Sequence, residues 1–124
     1  MDQRIAVALK MISRDIRTAP APREIACAMR LSISHFYGLF RKETGTVPAT
    51  YIRALRYEKA RELVLSSRLS IKEITHVVGF NDVSHFVREF QKLYGASPSQ
   101  FRRQATLANR GQHDLNNEDR KFRQ

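Results

Sequence analysis

EITHVVGFNDVSHFVREFQKLYGASPSQFRR, residues 73–103, repeats a pattern already present at residues 24–53, EIACAMRLSISHFYGLFRKETGTVPATYIR. From Ser32 onward the copies align fifty residues apart: Ser34 with Ser84, His35 with His85, Phe36 with Phe86, Phe40 with Phe90, Gly45 with Gly95, Pro48 with Pro98, Arg53 with Arg103. Before Ser32 the spacing is one shorter, pairing Glu24 with Glu73 and Ile25 with Ile74. The second copy therefore carries one extra residue in its turn. Ordered identities of this density mark a duplicated structural unit.

Each copy predicts helix, short turn, helix. In the second, Ile71, Ile74, Val77 and Val78 give IKEITHVV an apolar side, and Gly79 ends that helix. Asn81 or Asp82 caps the next helix, whose Phe86, Phe90 and Leu93 fall at i, i+4, i+7 as an apolar stripe. Gly95 stops it and Pro98 opens another helix as its first residue. In the first copy Ser32 takes the capping role, Phe36, Leu39 and Phe40 make the stripe, and Gly45 and Pro48 close the unit.

Between the copies, PATYIRALRYEKARELVLSS (residues 48–67) has no internal Gly or Pro after its start. It predicts one long helix of about 27 Å. A rigid connector of that size can present two helices to successive major grooves about 34 Å apart. Upstream, Ile5, Leu9, Ile12 and Ile16 space an amphipathic helix that closes the first core. The expected fold is all-α: two helix-turn-helix subdomains joined by a long central helix. Residues 1–47 hold the N-terminal helix and first helix-turn-helix, 48–67 the linker helix and 68–104 the second helix-turn-helix. Residues 105–124 read as a polar, mobile tail with one extra helical turn at most.

Lys and Arg number 22 against 12 Asp and Glu, a formal net charge of +10 over 124 residues. Residues 1–103 alone carry 18 bases and 9 acids, so the charge sits on the folded part. Such a field favours a polyanionic partner. No apolar run approaches the roughly 18 residues of a membrane span. The start, MDQRIAVALKMISRD, mixes charges into its apolar residues and does not read as a signal peptide. The single Cys27 excludes an internal disulfide. Among Ile25, Ala26 and Met29 it reads as a buried structural thiol. There is no zinc spacing, phosphate loop or Ser-His-Asp or Cys-His set. The expectation is a cytosolic protein that is not an enzyme, with no cofactor, no metal and no membrane partner.

With the Phe stripes inward, the opposite face of each second helix is free. Ser34, Tyr37, Gly38 and Arg41 share that face in the first copy; Ser84, Val87, Arg88 and Gln91 share it in the second. A recognition helix brings its N-terminal residues to base edges. Arg88 suits a bidentate contact to guanine and Val83 a thymine methyl. His35 and His85 stand open between base contact and a packing or capping role. Arg41, Lys42, Lys92, Arg53 and Arg103 read as phosphate contacts where they lie beside a recognition helix and otherwise as solvated surface. The four Phe residues read as core and not as a stacking platform, because their spacing is helical. Glu24 and Glu73 are repeat equivalents and not a catalytic pair.

GFNDVSHFVREFQKLYGASPSQFRR, residues 79–103, closely resembles the signature of the AraC/XylS family of bacterial transcription regulators. The similarity continues upstream through Arg56, Ala60, Leu63 and Val64 into LSISHFYGLFRKETGTVPATYI, and covers about residues 5–104. The resemblance implies a sequence-specific double-stranded DNA-binding transcription regulator, more an activator than a repressor, with its two recognition helices in adjacent major grooves. Position by position it implies base contacts from Ser34, Tyr37, Gly38, Val83, Ser84, His85 and Arg88. The expected phosphate contacts are Arg41, Lys42, Arg53, Gln91, Lys92 and Arg103. Similar proteins often carry Arg where this chain has Gly38, which weakens the first face. RNA polymerase is an expected partner. Two linked units predict DNA binding as a monomer, unless a sensor or dimerisation domain is missing from this chain. The length fits either a stand-alone member of the family or the DNA-binding part of a longer protein. Charge alone would also fit a non-specific nucleic-acid or RNA-binding module, and a third reading is an adaptor that contacts RNA polymerase without DNA.

Overall fold

A computed structural model describes the backbone of residues 1–122 and the side chains of residues 1–110. The described chain forms seven helices: α1 (Gln3–Arg14), α2 (Pro22–Ala28), α3 (Ile33–Thr44), α4 (Pro48–Ser66), α5 (Ile71–Val77), α6 (Val83–Tyr94) and α7 (Pro98–Phe122). Among the described residues there is no strand.

Two cores form, and α4 belongs to both. In the first, Ile5, Ala8 and Ile12 of α1 pack with Ile25 and Ala26 of α2, Phe36 and Phe40 of α3, and Ile52 at the start of α4. In the second, Tyr57, Ala60 and Val64 from the rest of α4 pack with Ile74, Val78, Phe86 and Phe90. Tyr57 lies parallel to Phe86, with centroids 5.6 Å apart. The 19 residues of α4 span about 28 Å. One continuous hydrogen-bonded rod thus fixes the two units against each other.

Local chemistry sets the helix ends. Pro22 and Pro48 open α2 and α4, where a missing N–H costs nothing. Ser70 caps α5 in a capping box with Glu73, and Ser97 exchanges the same pair of bonds with Gln100 at the start of α7. Asp2 caps α1 and pairs with Arg4 at 3.0 Å. Hydrogen bonds and charge from Arg4 hold its carboxyl down to about 2. Gly45 and Gly95 end α3 and α6 in the left-handed conformation, at φ +80° and +81°.

Several expectations need correcting. Leu93 does not extend the α6 stripe; it is 56% exposed. Tyr94 takes its place, with its ring 4.7 Å from Phe90 and a further contact to Phe101. The four-residue step keeps an aromatic over an aromatic. On α5, Val77 is exposed and Thr75 is fully buried. Thr75 can be buried because its hydroxyl donates to the Ile71 carbonyl at 2.7 Å. Cys27 is exposed, not buried. Ile16 lies beyond the end of α1 and is half-buried. The polar tail expected at 105–124 falls largely outside the described side chains, and the backbone there continues α7 to Phe122. After Pro98 the segment has no further Pro to interrupt the ladder.

Candidate nucleic-acid interface

The turns that position α3 and α6 are built alike. In the first, the Leu31 N–H donates to the Ala26 carbonyl at 2.9 Å; in the second, Phe80 N–H donates to Thr75 carbonyl at the same distance. Each turn needs one left-handed residue. Gly79 supplies it at φ +104°, and Arg30 supplies it at φ +57°. Ser32 then accepts a bond from the His35 N–H at 3.1 Å, and Asp82 accepts one from the His85 N–H at 3.0 Å. The open choice between Asn81 and Asp82 thus falls to Asp82. The histidine backbones are bound into the caps, while both side chains are exposed.

The expected recognition faces separate by exposure. On α3, Ser34, Gly38, Arg41 and Lys42 are exposed; Tyr37 is half-buried, its ring edge-on to Phe36 at 6.2 Å. A Cβ at Gly38 would meet nothing within 4 Å, so that face is open. On α6, Ser84, His85, Arg88, Gln91 and Lys92 are exposed and Val83 is half-buried. Val87, the partner of Tyr37 in the repeat, packs against the second core instead. Lys92 pairs with Glu89 at 3.2 Å, but this exposed pair is weakly held. Arg53 on α4 and Arg103 on α7 are exposed. The first turn of each second helix also carries the partial positive charge of unsatisfied N–H groups.

Sequence reasoning missed three features. Ile33, the equivalent of Val83, is 42% exposed at the start of α3; the alignment of the copies carried that signal. Arg56 reaches back across the joint between the units. Its Nε donates to the Ile16 carbonyl at 3.1 Å, and its guanidinium lies 5.8 Å from the Phe80 ring centre. Arg102 of α7 donates to the carbonyls of Val64 and Ser67 at 2.9 and 3.3 Å, placing a cation at the negative end of α4. Neither role leaves a local sequence signal, because the carbonyl partners lie 35 to 40 residues away and even Phe80 is far outside the helix that carries Arg56. Among the described residues, no group of three or more His, Cys, Asp or Glu is placed to hold a metal ion. No described helix is long and apolar enough to cross a membrane.

The geometry agrees with known proteins. The Msm operon regulatory protein of Streptococcus mutans is 35% identical over 95 residues, covering 77% of this chain and 34% of its own length. Transcriptional activator NphR of a Rhodococcus species is 36% identical over 81 residues, covering 65% of this chain and 24% of its own length. This chain therefore spans about a third or less of the length of these relatives. A transcriptional regulator of Chromobacterium violaceum with an AraC-type DNA-binding domain superimposes with a TM-score of 0.76 at 26% identity, covering 83% of this chain and 92% of that one. Residues 25–104 match the family model for a helix-turn-helix domain, and the chain belongs to that family in its AraC-type form.

Proposed function

We propose that this chain binds double-stranded DNA sequence-specifically as part of a transcription regulator, without catalysing a reaction. One observation carries the reading: α3 and α6 leave turns closed by the same backbone bond and present exposed polar faces from units that share α4. In this reading α3 and α6 enter adjacent major grooves. Ser34, Tyr37, Val83, Ser84, His85 and Arg88 meet base edges, and Gly38 lets the backbone come close without a side chain. Arg41, Lys42, Arg53, Gln91, Lys92 and Arg103 hold phosphates and set register. The net charge of +10 supplies the attraction.

The name of the Rhodococcus relative, a transcriptional activator, favours activation, with RNA polymerase as the protein partner. One chain carries both recognition helices, so we take the monomer as the binding unit and the bacterial cytoplasm as its compartment. The test is selection of bound sequences from a random duplex library at physiological salt. Enrichment of one asymmetric site with two blocks a helical turn apart supports the reading. Binding without enrichment overturns it in favour of a non-specific module.

A further inference from the structure

A cavity of about 300 Å³ lies at the joint between the two units, and no residue of α3 or α6 lines it. Pro20 lines it from the segment before α2, Pro22 from the first position of α2, Ile52 from α4, and Phe80 from the turn before α6. Its polar side is made by Arg53 and Arg56. No carboxylate lines it, and among the described residues neither arginine forms an ion pair.

Arg56 is the unusual member. It is half-buried, its Nε is occupied by the Ile16 carbonyl, and one face of its guanidinium lies near Phe80. Its two terminal nitrogens find no hydrogen-bond partner among the described residues. A guanidinium pre-set by a backbone bond and a ring has lost much of its freedom before any ligand arrives. Beside it stand proline and aromatic walls that water solvates poorly. Apolar walls with a few convergent polar groups are the general form of a small-molecule site.

We propose that this cavity binds a small organic anion: a carboxylate on a flat apolar body, its charge on Arg56 and Arg53 and its body against Pro20, Pro22, Ile52 and Phe80. Such a ligand would touch the first unit through residues 19–22 and the second through Phe80, and so clamp the joint.

The chain has no Trp, so the fluorescence anisotropy of 2-naphthoate can be followed on the full protein. We expect one-to-one saturation near or below about 1 mM, the affinity usual for a ligand of about thirteen heavy atoms. The neutral 2-naphthamide should bind at least about tenfold more weakly, since it cannot pair with a guanidinium. Two variants locate the site. Ala49→Phe fills the cavity from an exposed position of α4. Ala21→Asp adds a carboxylate at the rim, where it also improves the cap of α2. Each should melt no lower than the parent and lose naphthoate at least about tenfold. Equal binding of the amide, or undiminished naphthoate binding in either folded variant, overturns the proposal, as does failure of the parent to saturate.

Discussion

Arg56 closes the space over Gly79: a Cβ built on that glycine would stand 2.9 Å from Arg56 Nε and 3.1 Å from the Arg17 carbonyl oxygen. The glycine is needed twice, for its φ of +104° and for the passage of the arginine. Gly79→Ala should therefore cost about 2–3 kcal/mol, combining backbone strain with displacement of the Arg56 bond to Ile16. Urea denaturation of the two proteins measures it. A loss under about 0.5 kcal/mol would show that neither the backbone strain nor the Arg56 contact is costly at this position.

Arg30 holds the equivalent position in the first unit with a side chain that strains it. Arg30→Gly should raise stability by up to about 1 kcal/mol, because only glycine enters the left-handed region without penalty. The gain is read from the same denaturation curves. An unchanged or lower midpoint would mean that the added freedom of the unfolded glycine outweighs the relief.

Gly38 sits inside α3 with open space where its side chain would be. Gly38→Ala should stabilise the helix by about 0.5–1 kcal/mol. Gly38→Arg should be tolerated equally well and should tighten duplex binding at the first block of the selected site. Weaker duplex binding by a stable Gly38→Arg protein would place that face away from the groove.

Arg88 is exposed on α6, one turn from the cap that fixes His85. Arg88→Ala should cost about 1–3 kcal/mol on the selected duplex and relax preference at one base pair. Affinity of the parent should fall steeply with salt. Retained preference in Arg88→Ala would remove this residue from the readout.

Tyr57 buries its hydroxyl without a hydrogen-bond partner. Burial, with a smaller contribution from Glu89, pushes its pKa up, and Arg53 opposes the shift. Tyr57→Phe keeps the stack on Phe86 and deletes the orphan group, so stability should rise by about 1 kcal/mol. A loss of stability would point to a bound water at that oxygen.

Most of the fold was legible because its signals are local. Ser32 and Asp82 cap as their residue types suggest, Gly45 and Gly95 end helices, and the Phe pairs at i, i+4 fill both cores. What spacing alone does not give is the width of a buried stripe. Leu93 and Tyr94 are both apolar enough to continue α6, and the packing of Tyr94 against Phe90 and Phe101 decides for Tyr94. For α5 and α2 the answer lay in comparing the copies. Thr75 matches Ala26, and both are buried; Cys27 matches His76, and both are exposed. At the candidate interface, exposure of the polar residues followed from the inward Phe stripe, whereas the joint made by Arg56 depends on partners far along the chain.

A helix that feeds two cores also acts as an angular gauge. One residue inserted into α4 between Leu55 and Tyr57 would turn everything downstream by about 100° and advance it about 1.5 Å. Seven residues would be needed to bring the second unit back near its starting phase, some 10 Å further along the axis. Length changes in this chain are therefore confined to its turns, as the extra residue at Asn81 already illustrates, while the central rod admits only substitutions.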